Sequence, residues 1–310
     1  MKIIEAAGEK LGIPRPKSLV EKMAERLQPG VVKGQPESAI MKTTEPAAEI
    51  LAPPPAPEPP KPRRQTRNYI DLDLDHLRKL GIQIPGDPSS TAEEVRLIKR
   101  RLLQQAFAGG EAGATNNHLI LVTSATPGEG KTFVASNLAI SMASERDIHV
   151  LLIDADVVRP TIPEIFGFTA GQGLIDLVED KTVDMADILI RTSIPNLSIL
   201  PSGRHSPLAT ELLASARMAQ VVDDIANRYK DRVIIFDSPP LLVRSEPNVL
   251  AAHVGQIVMV VQADRTSQDQ VKRALHLLEG NKVAGLVLNK VTPMLSKSER
   301  ANHYYYSKSK

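Results

Sequence analysis

The chain has 310 residues, 42% of them hydrophobic and 3% aromatic, with a formal net charge of +2 and no cysteine. That length and apolar content suffice for a sizeable core, while the weak charge and the lack of a basic stripe interleaved with aromatics exclude a nucleic-acid-binding surface. Without cysteine, disulfides, thiolate nucleophiles and cysteine-held zinc or iron–sulfur groups are excluded, which fits a cytoplasmic protein.

Residues Ile3 to Leu11 carry Ile3, Ile4, Ala7 and Leu11 at helical spacing and predict a short amphipathic helix ended by Gly12 and Pro14. Glu5, Glu9, Lys10 and Pro14 break this stretch, so neither a signal peptide nor a membrane-spanning helix is expected there or elsewhere. Residues 1–28 are read as an N-terminal helical segment and 29–67 as a linker. Eight prolines crowd positions 46–62, followed by the basic run ending at Arg67, so this stretch buries no core and acts as an extended spacer.

Residues 68–290 read as the folded domain. A helix over Thr91–Ala106, capped by Ser90 or Thr91, opens it. Short apolar runs follow at 118–123, 150–153, 197–200, 233–236, 256–262 and 283–288, interleaved with helical patterns at 132–143, 207–215, 218–229 and 267–279. Continuous apolar strands alternating with helices predict a doubly wound α/β fold, a mostly parallel sheet covered on both faces. Residues 291–310 form a tail that carries Tyr304, Tyr305 and Tyr306 side by side, where only Tyr69 and Tyr229 occur elsewhere.

Three strand ends carry chemistry. The first runs into Ser124-Ala-Thr-Pro-Gly-Glu-Gly-Lys-Thr132 and then a helix, which is the context of a phosphate-binding P-loop with Ala125 in place of its first glycine. The backbone from Gly128 to Thr132 is expected to cradle phosphates, Lys131 to reach the β and γ oxygens, and Thr132 to offer its hydroxyl to magnesium. The nucleotide-contacting set is Thr126, Pro127, Gly128, Glu129, Gly130, Lys131, Thr132 and Phe133. The second strand ends in Asp154-Ala-Asp156 and the third in Asp237-Ser-Pro-Pro240, which places carboxylates where ligands of open α/β sheets bind. Thr132, Asp154 and Asp237 are the expected magnesium set, direct or through water. Asp154 or Asp156 is the expected proton acceptor for a phenol. Asn289, at the end of the last strand, either reads an adenine edge or caps a loop.

These motifs resemble those of the bacterial tyrosine kinases, a P-loop family distinct from eukaryotic protein kinases. The resemblance spans Ser90 to Tyr306, with Ser124–Thr132 similar to Walker A, Ile153–Arg159 to Walker A′ and Val233–Pro240 to Walker B. The free-standing arrangement is closest to the autokinases that accompany exosortase-linked exopolysaccharide loci. The resemblance implies ATP and Mg²⁺ as cofactors and phosphorylation of Tyr304, Tyr305 and Tyr306 between subunits of a homo-oligomer, a ring for instance. It further implies recruitment to the inner face of the membrane by a separate chain-length-determinant (polysaccharide co-polymerase) protein, and control of exopolysaccharide export. Two positions depart from the family pattern. Val158 stands where Walker A′ has arginine, with Arg159 one place later. In the family's Glu-x-x-Arg-x-x-Arg subunit-contact helix, this chain has Glu93, Arg96 and Lys99, and lysine keeps the charge but not the guanidinium fork. Thr126 occupies the place of the extra lysine of partitioning ATPases, which argues against a positioning ATPase. That switch and a non-catalytic nucleotide-sensing module are the alternative readings.

Overall fold

The computed structural model describes residues 2–4, 68–87, 89–107, 116–229, 231–281 and 283–292, all within one compact unit. Among these residues nine strands form one sheet: β1 (Lys2–Ile4), β2 (Tyr69–Ile70), β3 (Leu119–Ser124), β4 (His149–Asp154), β5 (Ile190–Thr192), β6 (Leu197–Leu200), β7 (Arg232–Asp237), β8 (Gln256–Gln262) and β9 (Val283–Asn289). Their order is β1-β9-β8-β3-β7-β4-β6-β5-β2. The central pairs β9·β8, β8·β3, β3·β7, β7·β4 and β4·β6 are all parallel, while β1·β9 and β5·β6 are antiparallel.

The helices are α1 (Leu74–Lys79), α2 (Ser90–Ala106), α3 (Lys131–Ala143), α4 (Ile162–Phe166), α5 (Leu174–Glu179), α6 (Met185–Ile188), α7 (Ala209–Leu213), α8 (Ala216–Arg228), α9 (Glu246–Ala251) and α10 (Gln268–Leu277). Side chains alternate across a strand, so each strand feeds two cores. On β3, Leu119 and Leu121 join the core shared with α5, α7 and α8, whereas Ile120 and Val122 join the one beneath α2 and α3. Every residue of β3 is buried, which explains its unbroken apolar pattern. The doubly wound fold is therefore as the sequence implies.

Boundaries differ where caps decide them. Ser89, not Ser90 or Thr91, caps α2, its hydroxyl accepting from Ala92 N at 2.9 Å. Ser215 and Ser267 cap α8 and α10 in the same way. The expected N-terminal helix is corrected at its start: Ile3 and Ile4 lie in β1, paired with Val287 and Leu286 of β9. Two β-branched residues suit an edge strand better than a first helical turn, and β9 offers an open ladder. The rest of that helix, the linker and the tyrosine tail lie outside the described residues. Among the described residues no helix is long and apolar enough to cross a membrane.

Candidate functional site

Strand β3 ends at the centre of the sheet, and the loop that leaves it bends back through two left-handed glycines. Gly128 has φ +83° and Gly130 φ +92°, values that penalise any side chain. The second glycine is also sterically enforced, because a Cβ there would collide with Asn289 Nδ2. Helix α3 then starts at Lys131, so its unpaired N–H groups and positive dipole end face the loop's concavity.

Glu129, expected to contribute its backbone to the phosphate cradle, turns its side chain inward. It is buried, Oε2 accepts from Thr126 N at 2.7 Å, and Oε1 accepts from the Thr266 hydroxyl and, at 3.5 Å, from Gln262 N. A carboxylate thus ties the phosphate loop to the segment after β8. Asn289 does the same from β9, its buried amide donating to Glu129 O at 2.9 Å. Lys290 adds a third tie, Nζ donating to Gly128 O at 2.7 Å. Neither Thr266 nor Lys290 had any signal in the sequence beyond lying after a strand. Phe133 packs its ring toward Gly81 and the α2–α3 core rather than toward the loop, and Pro127 and Gly128 stand exposed at the loop's tip.

The acidic groups converge from neighbouring strands. Asp154 and Asp237 end β4 and β7 as register partners and are fully buried. Burial pushes the Asp237 carboxyl up to about 7, with Asp156 adding to the rise and Lys131 and the Thr132 hydroxyl opposing it. Burial, then repulsion from Asp237 and Asp156, raises Asp154 well above the usual carboxylate range. Asp154 Oδ1 accepts from Asp156 N at 3.2 Å, and Oδ2 has no hydrogen-bond partner. Asp156 lies past the strand end with Oδ2 3.1 Å from Lys131 Nζ, and its Oδ1 accepts from Arg159 N. Thr161 donates to the Thr132 hydroxyl at 3.2 Å. The structure thus brings Lys131, Thr132, Asp154, Asp156 and Asp237 together. Val158 and Arg159 are exposed beside them.

Two adjacent buried aspartates, with Asp154 Oδ2 and both Asp237 oxygens lacking hydrogen-bond partners, suit a divalent cation that would neutralise both. No three acidic or histidine side chains among the described residues make a protein-only cage. Mg²⁺ needs none, since it takes one or two carboxylates and completes its shell with phosphate oxygens and water.

The expected subunit-contact set does not stay together. Glu93 and Arg96 form an exposed ion pair of 2.6 Å on α2. Lys99 is buried, and its ammonium reaches Glu145 at 2.5 Å and Ser141 O at 3.3 Å on the α3 side. Its charge is committed inside the chain because the α2 face carrying Ile98 and Leu102 packs on α3.

A glycine-gated loop between a buried strand and a helix, with aspartates on two adjacent strands, defines a P-loop nucleotide-binding protein. Residues 115–310 match the family described as ParA, NUBPL iron-transfer P-loop NTPase. CapB of Staphylococcus aureus is 33% identical over 228 residues, covering 73% of this chain and 94% of CapB. The tyrosine-protein kinase Wzc of Salmonella typhimurium is 29% identical over 224 residues, covering 71% of this chain but 30% of Wzc. Among solved structures, the kinase domain of the Escherichia coli tyrosine kinase ETK superposes with a TM-score of 0.58 at 28% identity, covering 70% of this chain and 83% of that one. The chain belongs to the bacterial tyrosine-protein kinase family of P-loop NTPases.

Proposed function

We propose that this chain is an ATP-dependent protein-tyrosine autokinase that transfers the γ-phosphoryl group to Tyr304, Tyr305 and Tyr306 of a neighbouring copy. The observation that carries the reading is the convergence of Lys131, Asp154, Asp156 and Asp237 on one phosphate loop. Phosphoryl transfer needs positioning and charge stabilisation rather than a covalent intermediate. Lys131 leaves Asp156 for the β and γ oxygens, and the α3 N-terminus cradles the phosphates. Thr132, Asp154 and Asp237 would hold Mg²⁺, directly or through water, and the ion would supply neutralisation of phosphate charge there.

Freed of Lys131, Asp156, less deeply buried than Asp154, takes the phenolic proton as the tyrosine oxygen bonds to phosphorus and the bond to the β-phosphate oxygen breaks. A free tyrosine has a pKa near 10 and gains from such an acceptor. From Thr292 to Tyr304 is 12 residues, a reach of about 40 Å when extended, which is enough for a neighbour's cleft. By analogy with its family, the kinase regulates exopolysaccharide polymerisation or export through a membrane chain-length-determinant partner. Mapping phosphotyrosine after incubation with Mg-ATP tests the reading: label is expected on the tail, and ATP turnover with an unlabelled tail would refute it.

A further inference from the structure

Outside the tail the chain has two tyrosines, Tyr69 and Tyr229, and the fold treats them differently. Tyr229 is half-buried, with the Arg232 guanidinium 4.4 Å over its ring. Tyr69 is 63% exposed and opens β2, the last strand at one edge of the sheet. Its register partner is Arg191 of β5. Register partners on adjacent strands share one face of the sheet, the strands about 4.8 Å apart. Here both face solvent, while the next pair, Ile70 and Thr192, turns inward. Among the described residues the Arg191 guanidinium has no partner.

The ring also borders an open depression of about 560 Å³, shared with Gly167, Phe168, Thr169 and Gln172, which leaves room for a second copy to approach. Asp187, the one acid in that lining, already has a partner. Just upstream in the sequence stand Arg63, Arg64 and Arg67, opposite in charge to the cleft's Asp154, Asp156 and Asp237 and suited to steering this segment toward it. Strand β2 is two residues long, so local opening frees it to enter a neighbour's cleft.

We propose that Tyr69 is a further phosphoacceptor, modified by another copy of the chain, and that Arg191 then holds its phosphate. The proposal rests on the autokinase reading. The Tyr69 oxygen bonds to the γ-phosphorus of ATP, ADP leaves as the bond to the β-phosphate oxygen breaks, and the phenolic proton passes to Asp156 of the active copy. The product carries roughly −1.5 to −2 charges beside an unengaged guanidinium, whose planar fork matches phosphate oxygens two at a time. Phosphorylation thus fastens β2 to β5, and with it the point where the Pro-rich stretch joins the domain.

A mixture tests it. The recipient is Lys131→Met with Tyr304→Phe, Tyr305→Phe and Tyr306→Phe; the donor is active enzyme with the same three tail changes and Tyr69→Phe. After incubation with Mg-ATP, mass spectrometry should find phosphate on Tyr69 of the recipient and none on Tyr229. The Arg191 and Ser193 N–H groups donate to Asn68 O and Ile70 O at 2.9 and 3.0 Å, so their hydrogen exchange reports whether β2 is docked. Phosphorylation should slow that exchange about fivefold, and by less than about twofold in a recipient that also carries Arg191→Gln. No label on Tyr69, or as much on Tyr229, beside a wild type labelled on its tail would overturn the proposal alone. A wild type without label would remove the autokinase reading and the proposal together. Slowing that survives Arg191→Gln would overturn the role of Arg191.

Discussion

Replacing Asp237 by asparagine should make the ligand-free protein more stable at neutral and alkaline pH while abolishing phosphotransfer. The carboxyl rises from 3.8 to about 7 on folding, chiefly through burial. Below pH 3.8 both states are protonated and the group contributes nothing. Between the two values the native state holds a proton that the unfolded chain has lost, so stability falls as pH rises, and the loss is complete above about 7. A rise of about 3 units at 1.36 kcal/mol each sets a ceiling of about 4 kcal/mol, and relaxation around a charged site brings the expected gain to ~2–4 kcal/mol. The amide keeps the shape of the carboxylate without its charge. Urea unfolding followed by circular dichroism from about pH 4 to about pH 8.5 measures this directly: the two proteins should agree near the acid end and diverge toward the alkaline end. A variant less stable than the parent at alkaline pH, or a gap that does not change with pH, would refute the claim that this carboxylate is buried at a cost for metal binding.

Lys131→Met should fold normally and lose phosphotransfer by well over tenfold, each 1.4 kcal/mol removed from the transition state giving about that factor. Parent-rate autophosphorylation would remove the P-loop from the account. Glu129→Gln leaves one acceptor oxygen where the carboxylate has two, so its NH2 must face either the Thr126 N–H or the Gln262 N–H, and nucleotide affinity should drop about tenfold with a stability loss of ~1–3 kcal/mol; an unchanged dissociation constant would show that the brace is idle. Lys99→Met keeps the packed stem and removes the ammonium from Ser141 O and from Glu145, a side chain already half in solvent, so stability should change by about 1 kcal/mol and assembly size not at all. Glu93→Ala with Arg96→Ala, in contrast, should shrink the assembly in light scattering, and the opposite pattern would return Lys99 to the subunit surface.

The phosphate loop and the two aspartate motifs were legible because each depends on residue type at a strand end, and strand ends follow from apolar runs. Orientation was not legible. Nothing in the spacing shows that Glu129 turns inward, since its direction is set by Thr266, 137 residues away. Lys99 reads as a surface charge in helical register, yet the packing of α2 on α3 buries it. Strands β2 and β5 are two and three residues long, too short for period-two alternation to register, and the short helices α4 to α6 fall below the length at which helical periodicity declares itself. Asn289 showed its polarity and its place but not its partner, because the left-handed glycines that bring the loop beneath it act through backbone shape.

The central claim, transfer of phosphate to the tail of another copy, meets its most direct test in a mixture. One component is Lys131→Met with its tyrosines intact; the other is active enzyme carrying Tyr304→Phe, Tyr305→Phe and Tyr306→Phe. With Mg-ATP, phosphotyrosine should appear at Tyr304 to Tyr306 of the inactive partner, at a rate that rises with the concentration of the active one. An unlabelled mixture, beside a wild type that labels itself at a rate independent of concentration, would place the reaction within a single chain and contradict the account.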